Sequence, residues 1–499
     1  MSSTSQDIRP RRRFLANLLH QEDLVLPIFL ALLILITRVP FITDYLYNWD
    51  AANFALGIGR FDVSQHQPHP PGYPYFVWTA ALLDLLLRDA NLSLVLVSIA
   101  LQIAAVIGIY CFATALLSPM AGLASALLLA FSPTFWTYGE IALTYSALAT
   151  FSVLTAYFAY QTAYLRRDRL LACALSYAVG TGFRPDLALF VAPLLLLACY
   201  RRPSSKAILG LAVAGIGILC WIVPTALLSG GFPSYLSTLS AYFGADVFER
   251  YAPTANGIEA LFVNVRDTSQ YLFYALYAAA AVVLPGAGIF LWRVWRRHDW
   301  SLPGFFALWV APMAIFYLLL HVGDPGYVFS VLPAAILAGV AGWSWVLVSA
   351  RRERRIAAGV LLAFVLLCNM FIFLGYQKPL MLWGLRANDL RVAAYLSYLS
   401  SYSPSEILIV SYDSYKHFRY YLPQYTNSAW LDTKTPQRQV FPVPDGAQWV
   451  VLVDPSVFAL AQTLPAEAEF LPGENWAALL AVEKGQSLVY EAGRLTIQP

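Results

Sequence analysis

The sequence predicts an all-α polytopic membrane protein of about eleven transmembrane helices, with a small α/β domain outside the membrane at its C-terminal end. Three observations predict it. Of 499 residues, 59% are hydrophobic and 12% charged, and mean hydropathy is +0.60; ordinary soluble domains carry roughly 25% charge. Between Leu24 and Leu374 apolar runs recur near the roughly 20-residue length that crosses a bilayer, and Lys206 is the only lysine before Lys378. After about residue 375 charges return and short β-rich runs replace the long apolar ones. A soluble globular enzyme is excluded.

The basic clusters order the elements. Arg11–Arg13, Arg166–Arg169, Arg201–Lys206, Arg293–Arg297 and Arg351–Arg355 belong on the cytoplasmic side by the positive-inside rule. Residues 1–23 are then a cytoplasmic tail. The run Leu24–Val39 lacks a small-residue cleavage site and is a retained first span. Counting back from Arg166, 141–160 runs inward, 122–136 outward and 92–117 inward. No crossing is left for Tyr73–Leu87, a stretch of about fifteen residues that follows two prolines and carries Asp84 and Arg88 near its end. An interfacial helix on the outer leaflet satisfies every charge.

The remaining spans are 170–183, 187–200, 207–228, 270–292, 303–320, 328–349 and 356–374. A transmembrane domain over 24–374 leaves three long outer segments, 41–91, 229–269 and 375–499, and function belongs there. In the last, strands are expected at Ile407–Tyr412, Trp449–Asp454, Ser487–Tyr490 and Arg494–Ile497, with no Gly-rich phosphate loop among them.

A net charge of +3 with basic residues only in short clusters gives no nucleic-acid footprint. Cys111, Cys173, Cys199, Cys220 and Cys368 lie in apolar segments without CxxC spacing, which supports neither disulfides nor zinc clusters. HExxH, GxSxG and Walker motifs are absent, so protease, hydrolase and ATP-driven pump lack support.

The first outer segment reads Asp44-Tyr-Leu-Tyr-Asn-Trp-Asp50, Arg60-Phe-Asp62 and His66-Gln-Pro-His69-Pro-Pro-Gly-Tyr73-Pro-Tyr75. Asp50 precedes an apolar stretch with the look of a short interfacial helix. Two roles stand open for it: general base toward an acceptor hydroxyl, or helix cap. In His69-Pro-Pro-Gly-Tyr73-Pro the prolines fix an extended backbone and the next helix begins beside the histidine, which suits an anionic phosphate or a rigid connection. His66 and His69 with an acid leave a divalent metal open, without a third defined ligand. Glu140 in Phe-Trp-Thr-Tyr-Gly-Glu-Ile-Ala-Leu-Thr-Tyr, and Arg184 in Gly-Phe-Arg-Pro-Asp, are candidates because ionisable residues at helix ends are costly in an apolar protein. Arg184 binds substrate, pairs with Asp186 or snorkels; Arg250 clamps a phosphate or is solvated. His321, Asp324 and Tyr327 sit between two later spans.

This pattern resembles the GT-C membrane glycosyltransferases, in particular the protein O-mannosyltransferase and aminoarabinose-transferase superfamily (glycosyltransferase family 39-like), over about residues 20 to 350. The HPPGYP run together with the Glu140 segment carries the resemblance, and Asp50 matches the catalytic aspartate just after the first span. Many members have Asp-Glu where this chain has Asp50-Ala51, so a role given to that glutamate does not transfer. The resemblance implies a sugar taken from a polyprenyl-phosphate carrier on the outer face of the plasma (inner) membrane by an inverting displacement. Asp50 would be the base, and His69, Arg184, Tyr73, Glu140, Arg250 and His66 would bind donor phosphate or substrate. The expected partners are membrane lipids and a glycan, lipid or protein acceptor. The alternatives are a lipid or polysaccharide flippase that forms no glycosidic product and a structural membrane subunit.

Overall fold

The computed structural model describes residues 21–249, 252–320, 323–348, 350–435, 437–462 and 464–499. The basic run Arg11–Arg13 lies outside them. Helical residues make up most of each of the eleven expected spans, though 122–136, 187–200 and 270–292 are each divided between helices. Among the described residues six helical stretches are long and apolar enough to cross a membrane: Leu24–Phe41, Ala90–Leu116, Ser204–Leu228, Pro253–Arg297, Ser301–Leu319 and Arg352–Gly375. Pro119–Ala130, Leu170–Phe183, Leu187–Tyr200 and Leu332–Leu347 are apolar but shorter. Ser146–Ala163 is the most interior of these helices and buries Thr150, Ser152, Thr155, Gln161 and Thr162.

Boundaries depart from the expected ones where proline removes a backbone donor. The stretch read as 122–136 stops at Ala130 and restarts as a short helix, Pro133–Thr137. The next helix begins only at Ser146, after a turn through Gly139 and Glu140. Near 190 the chain breaks again before Pro193.

The helix Pro74–Leu87 spans about 21 Å at 1.5 Å per residue, short of a roughly 30 Å hydrocarbon core. It exposes Leu82, Leu85 and Leu86 and packs its other side on Ala90–Leu116 and Leu170–Phe183. The outer segment 229–269 is largely helical (Phe232–Ala241 and the start of Pro253–Leu276), and it leans on the first outer segment. Tyr235 donates to the Pro71 carbonyl at 2.9 Å, and Val63 packs with Ala226 and Tyr235.

After the helix Leu382–Leu399 the chain forms eight strands: β1 (Ile407–Ser411), β2 (Ser428–Trp430), β3 (Gln439–Pro442), β4 (Trp449–Val453), β5 (Glu467–Leu471), β6 (Asn475–Ala481), β7 (Ser487–Glu491) and β8 (Arg494–Gln498). One sheet has the order β2-β1-β4-β6-β5, with β1 parallel to both β2 and β4; β3-β7-β8 form a second, antiparallel sheet. β1 and β4 are apolar at nearly every position because both faces are covered. Leu408, Val410, Val450 and Leu452 face Leu488 and Tyr490, whereas Ile407, Ile409, Val451 and Val453 face Tyr395, Leu399 and Phe418.

This domain seats on the first outer segment. The Tyr45 N–H donates to Asp389 at 3.2 Å, the Leu46 N–H donates to the Tyr421 hydroxyl at 3.0 Å, and His417 Nε2 lies 3.0 Å from the Leu46 carbonyl.

Candidate functional site

The first outer segment enters the helix Trp49–Gly59 through Asn48, whose side chain accepts from the Ala51 N–H at 3.0 Å. Asn48 is therefore the cap. Asp50 stands free of that duty in the first turn, where a negative charge suits the helix dipole. The other four acids of the segment are placed differently: Asp84 lies in the last turn of Pro74–Leu87, and Asp89 caps Ala90–Leu116, accepting from the Leu92 N–H at 3.0 Å. Asp62 accepts from the Ser64 N–H and hydroxyl at 3.1 and 2.6 Å and pairs with Arg60, and Asp44 lies 3.8 Å from Arg386 on the surface. Asp50, 39% exposed, faces His69 with 3.6 Å between Oδ1 and Nδ1.

His69 is held by the turn that its own motif builds. The Gly72 N–H closes on the His69 carbonyl at 3.0 Å, with Gly72 at φ +111°. Tyr73, also at positive φ, starts the helix Pro74–Leu87, and its carbonyl takes the Phe76 and Val77 N–H groups at 3.1 and 3.3 Å. The imidazole packs between the rings of Phe54 and Tyr73, with centroids 5.1 and 5.0 Å away, and only 8% of the residue is exposed. Burial pushes its pKa below the usual value, against the pull of Asp50, so the ring is neutral at pH 7. Its Nδ1 has no hydrogen-bond partner and faces the carboxylate. His66 lies near enough to depress His69 further, and the Asn53 amide reaches its carbonyl at 2.9 Å once the amide is oriented to suit its neighbours.

Behind this pair Arg184, 2% exposed, makes a two-point contact with Asp186 at 2.6 and 3.2 Å and donates to Thr144 at 3.0 Å. Of the readings open for Arg184, the Asp186 pairing is present. Three rings surround the guanidinium: Tyr145, Tyr327 and Tyr73, at 4.6, 5.0 and 5.3 Å. Such desolvated contacts contribute up to about 2 kcal/mol each. Asp324 completes the cluster, accepting from the Gly326 N–H at 2.8 Å and from the Tyr138 hydroxyl. Burial lifts its carboxyl to about 6, and Asp50 adds to the shift.

Glu140 belongs to a different group. It is fully buried, accepts from Trp136 Nε1 at 2.7 Å and is coupled electrostatically to Arg38, whose guanidinium lies 4.6 Å from the Trp136 ring centre. Burial pushes its carboxyl well above the usual range. Its contact with the first outer segment is through the backbone, where its carbonyl takes the Thr43 N–H and hydroxyl at 3.1 Å each. Arg250 and His321 lie outside the described residues.

The sequence reading did not single out Lys416. It comes from the short helix Tyr415–Tyr421 of the C-terminal domain, is 6% exposed and lies 5.5 Å from the Trp49 ring centre, close enough to act on His69. Burial pulls its ammonium down to about 8. No local motif marks it, because only the fold brings residue 416 to residue 49. Asp324 had a signal, an acid between two spans, but nothing tied it to Asp50. Among the described residues no group of three His, Cys, Asp or Glu side chains gathers as metal ligands. The arrangement is thus a half-exposed carboxylate backed by a neutral imidazole, a ring-caged arginine and a second, protonatable carboxyl, under a roof that carries a lysine.

Residues 68–227, which include His69, Glu140 and Arg184, match the family model described as dolichyl-phosphate-mannose-protein mannosyltransferase. No curated protein matches the chain significantly. Among solved structures, ArnT from Cupriavidus metallidurans bound to undecaprenyl phosphate is 14% identical with a TM-score of 0.58. Its apo form scores 0.55 at 14% identity, and both alignments cover 92% of this chain and 98% of ArnT. The Archaeoglobus fulgidus oligosaccharyltransferase, in complex with zinc and sulfate, is 12% identical at a TM-score of 0.44, covering 81% of this chain and 61% of that one. The chain has the GT-C fold over the membrane helices and the C-terminal domain alike, and the resemblance read from the sequence holds. It is an integral membrane protein.

Proposed function

We propose that the chain is an inverting glycosyltransferase that moves a sugar from a polyprenyl-phosphate carrier to an acceptor hydroxyl on the outer face of the plasma (inner) membrane. The observation that carries the reading is Asp50. It stands in the first turn of its helix without serving as the cap, half-exposed, with 3.6 Å between its Oδ1 and Nδ1 of the buried His69. ArnT, the structural neighbour that spans the same architecture, binds undecaprenyl phosphate, and a carrier of that class suits the apolar flanks of this bundle.

In the proposed step the acceptor oxygen attacks the anomeric carbon, and the bond from that carbon to the phosphate oxygen breaks. The electron pair leaves with the phosphate, and the acceptor proton passes to the Asp50 carboxylate. His69, kept neutral, adds no charge that would tie Asp50 into an ion pair and lower its basicity. Arg184 supplies positive field toward the departing phosphate, and its caging rings fix Tyr73 next to His69. Glu140 acts at a distance by holding Thr43 and with it the start of the loop.

The test is release of polyprenyl phosphate from a panel of polyprenyl-phosphate sugars by the purified protein, with water taking the sugar in place of the acceptor hydroxyl and nucleotide sugars as controls. Asp50→Asn is expected to cut turnover by about 10²-fold or more while leaving expression and thermal midpoint unchanged. Full turnover in that variant removes Asp50 from the role. Movement of lipid across proteoliposomes without any glycosidic product moves the reading to a flippase.

A further inference from the structure

The C-terminal sheet has its topological switch at β1. From β1 the chain passes through the helix Tyr415–Tyr421 to β2 on one side, and β4 lies on the other. In open α/β sheets the crevice outside the carboxyl ends of the strands at such a point takes ligands. Here the carboxyl ends of β1 and β2 meet the first outer segment at Trp49. Tyr412 directly follows β1 and Trp430 ends β2, and their rings lie nearly parallel at 15° with centroids 6.3 Å apart. Trp430 meets Trp49 at 5.7 Å, and Trp49 stacks on Tyr415 at 6.1 Å. A lysine stands at each end: Lys434 lies 5.4 Å from the Tyr412 ring centre and Lys416 lies 5.5 Å from that of Trp49.

The result is a continuous run from solvent to the residue next to Asp50. Trp430 is 43% exposed and Lys434 is exposed, whereas Lys416 is buried. Neither lysine forms an ion pair among the described residues. Rings that only glued the domain to the loop would need neither an exposed indole on an edge strand nor two cations without carboxylate partners.

We infer that this run is the acceptor subsite and that it takes an acidic saccharide, with a sugar face on Trp430 and its acidic group at Lys434. Aromatic faces stack on the apolar faces of pyranose rings, and the exposed Lys434 selects the acid. The inference rests on the reading of Asp50 as the base, since it gives the saccharide a path to that residue.

The full-length protein in nanodiscs is titrated calorimetrically with hexagalacturonate and, as the neutral counterpart, maltohexaose. Hexagalacturonate is expected to bind at least 10-fold more tightly than maltohexaose. Trp430→Ala weakens both by about 10-fold or more, and Lys434→Gln removes the preference for the acid while maltohexaose binding stays. Trp476→Ala, which removes an equally exposed ring on β6 at the far side of the sheet, changes neither. The inference is overturned if neither saccharide binds, if Trp476→Ala acts like Trp430→Ala, or if Lys434→Gln keeps the preference. Donor turnover is read separately, without saccharide. Turnover that survives Asp50→Asn with saccharide binding still tracking Trp430 removes the proposed reaction and leaves the saccharide site; loss of turnover in Asp50→Asn with saccharide binding blind to Trp430 does the reverse.

Discussion

Burial lifts the Asp324 carboxyl to about 6, against 3.8 for the free side chain, and that shift is a statement about stability. Between pH 4 and pH 6 the folded protein holds a proton that the unfolded chain has released, so stability falls as pH rises through this window and stays lower above it. The full linkage amounts to about 3 kcal/mol. Asp324→Asn keeps an oxygen to accept from Gly326 and Tyr138 but has no charge to bury. Its thermal midpoint should exceed that of the unsubstituted protein at pH 7.5, with the gap closing by pH 4; a midpoint below the parent at pH 7.5 would show that the charge itself is needed. At this scale the sequence was partly legible. Asp50 stood out because its segment concentrates acids, and Arg184 because its companion Asp186 is two residues away. Lys416 was invisible, since its meaning comes from Trp49, hundreds of residues earlier.

The His69-Pro-Pro-Gly-Tyr motif is an element in its own right, a turn whose geometry depends on one residue. Gly72 sits at φ +111°, where an L side chain is strained, and a Cβ there would come within 2.8 Å of the Val63 side chain and 3.3 Å of Thr225. Gly72→Ala should therefore cost about 2 kcal/mol or more, and it should disturb His69 before anything else. A lowered thermal midpoint together with reduced donor turnover checks this; an unchanged midpoint refutes the strain argument. The sequence exposed this turn through its prolines and glycine, and it exposed β1 and β4 through runs of Ile, Leu and Val. It hid β2, β3, β5 and β6 for different reasons, β3 because it is a four-residue edge strand that ends in proline. β2 has three residues on an edge, β5 is almost wholly exposed, and the Asn-Trp-Ala-Ala-Leu-Leu-Ala of β6 favours a helix by local propensity and pairs as a strand only because β4 offers a partner.

Across the whole molecule, the arginine clusters predict that the loop of Asp50 and the loop of Lys206 lie on opposite sides of the membrane. Arg60 and Lys206 are both exposed, so cysteines placed there test the arrangement, with the unsubstituted protein and its five natural cysteines as background. A membrane-impermeant maleimide added to intact cells should label Arg60→Cys, and Lys206→Cys only after permeabilisation; the opposite pattern would invert the topology and the proposed outer-face reaction with it. The apolar runs made the order of the helices legible, but not the breaks at Ser132–Pro133 and before Pro193, where local backbone chemistry overrides the apolar pattern.

The C-terminal domain grips the first outer segment partly by its main chain, at the Tyr45 N–H and the Leu46 N–H and carbonyl. A grip on main-chain atoms tolerates drift in the side chains beneath it. Such a cap works as a cassette: the rings and the lysine proposed to read the acceptor, or the entire α/β unit, can be exchanged while the backbone contacts that hold the loop of Asp50 stay in place.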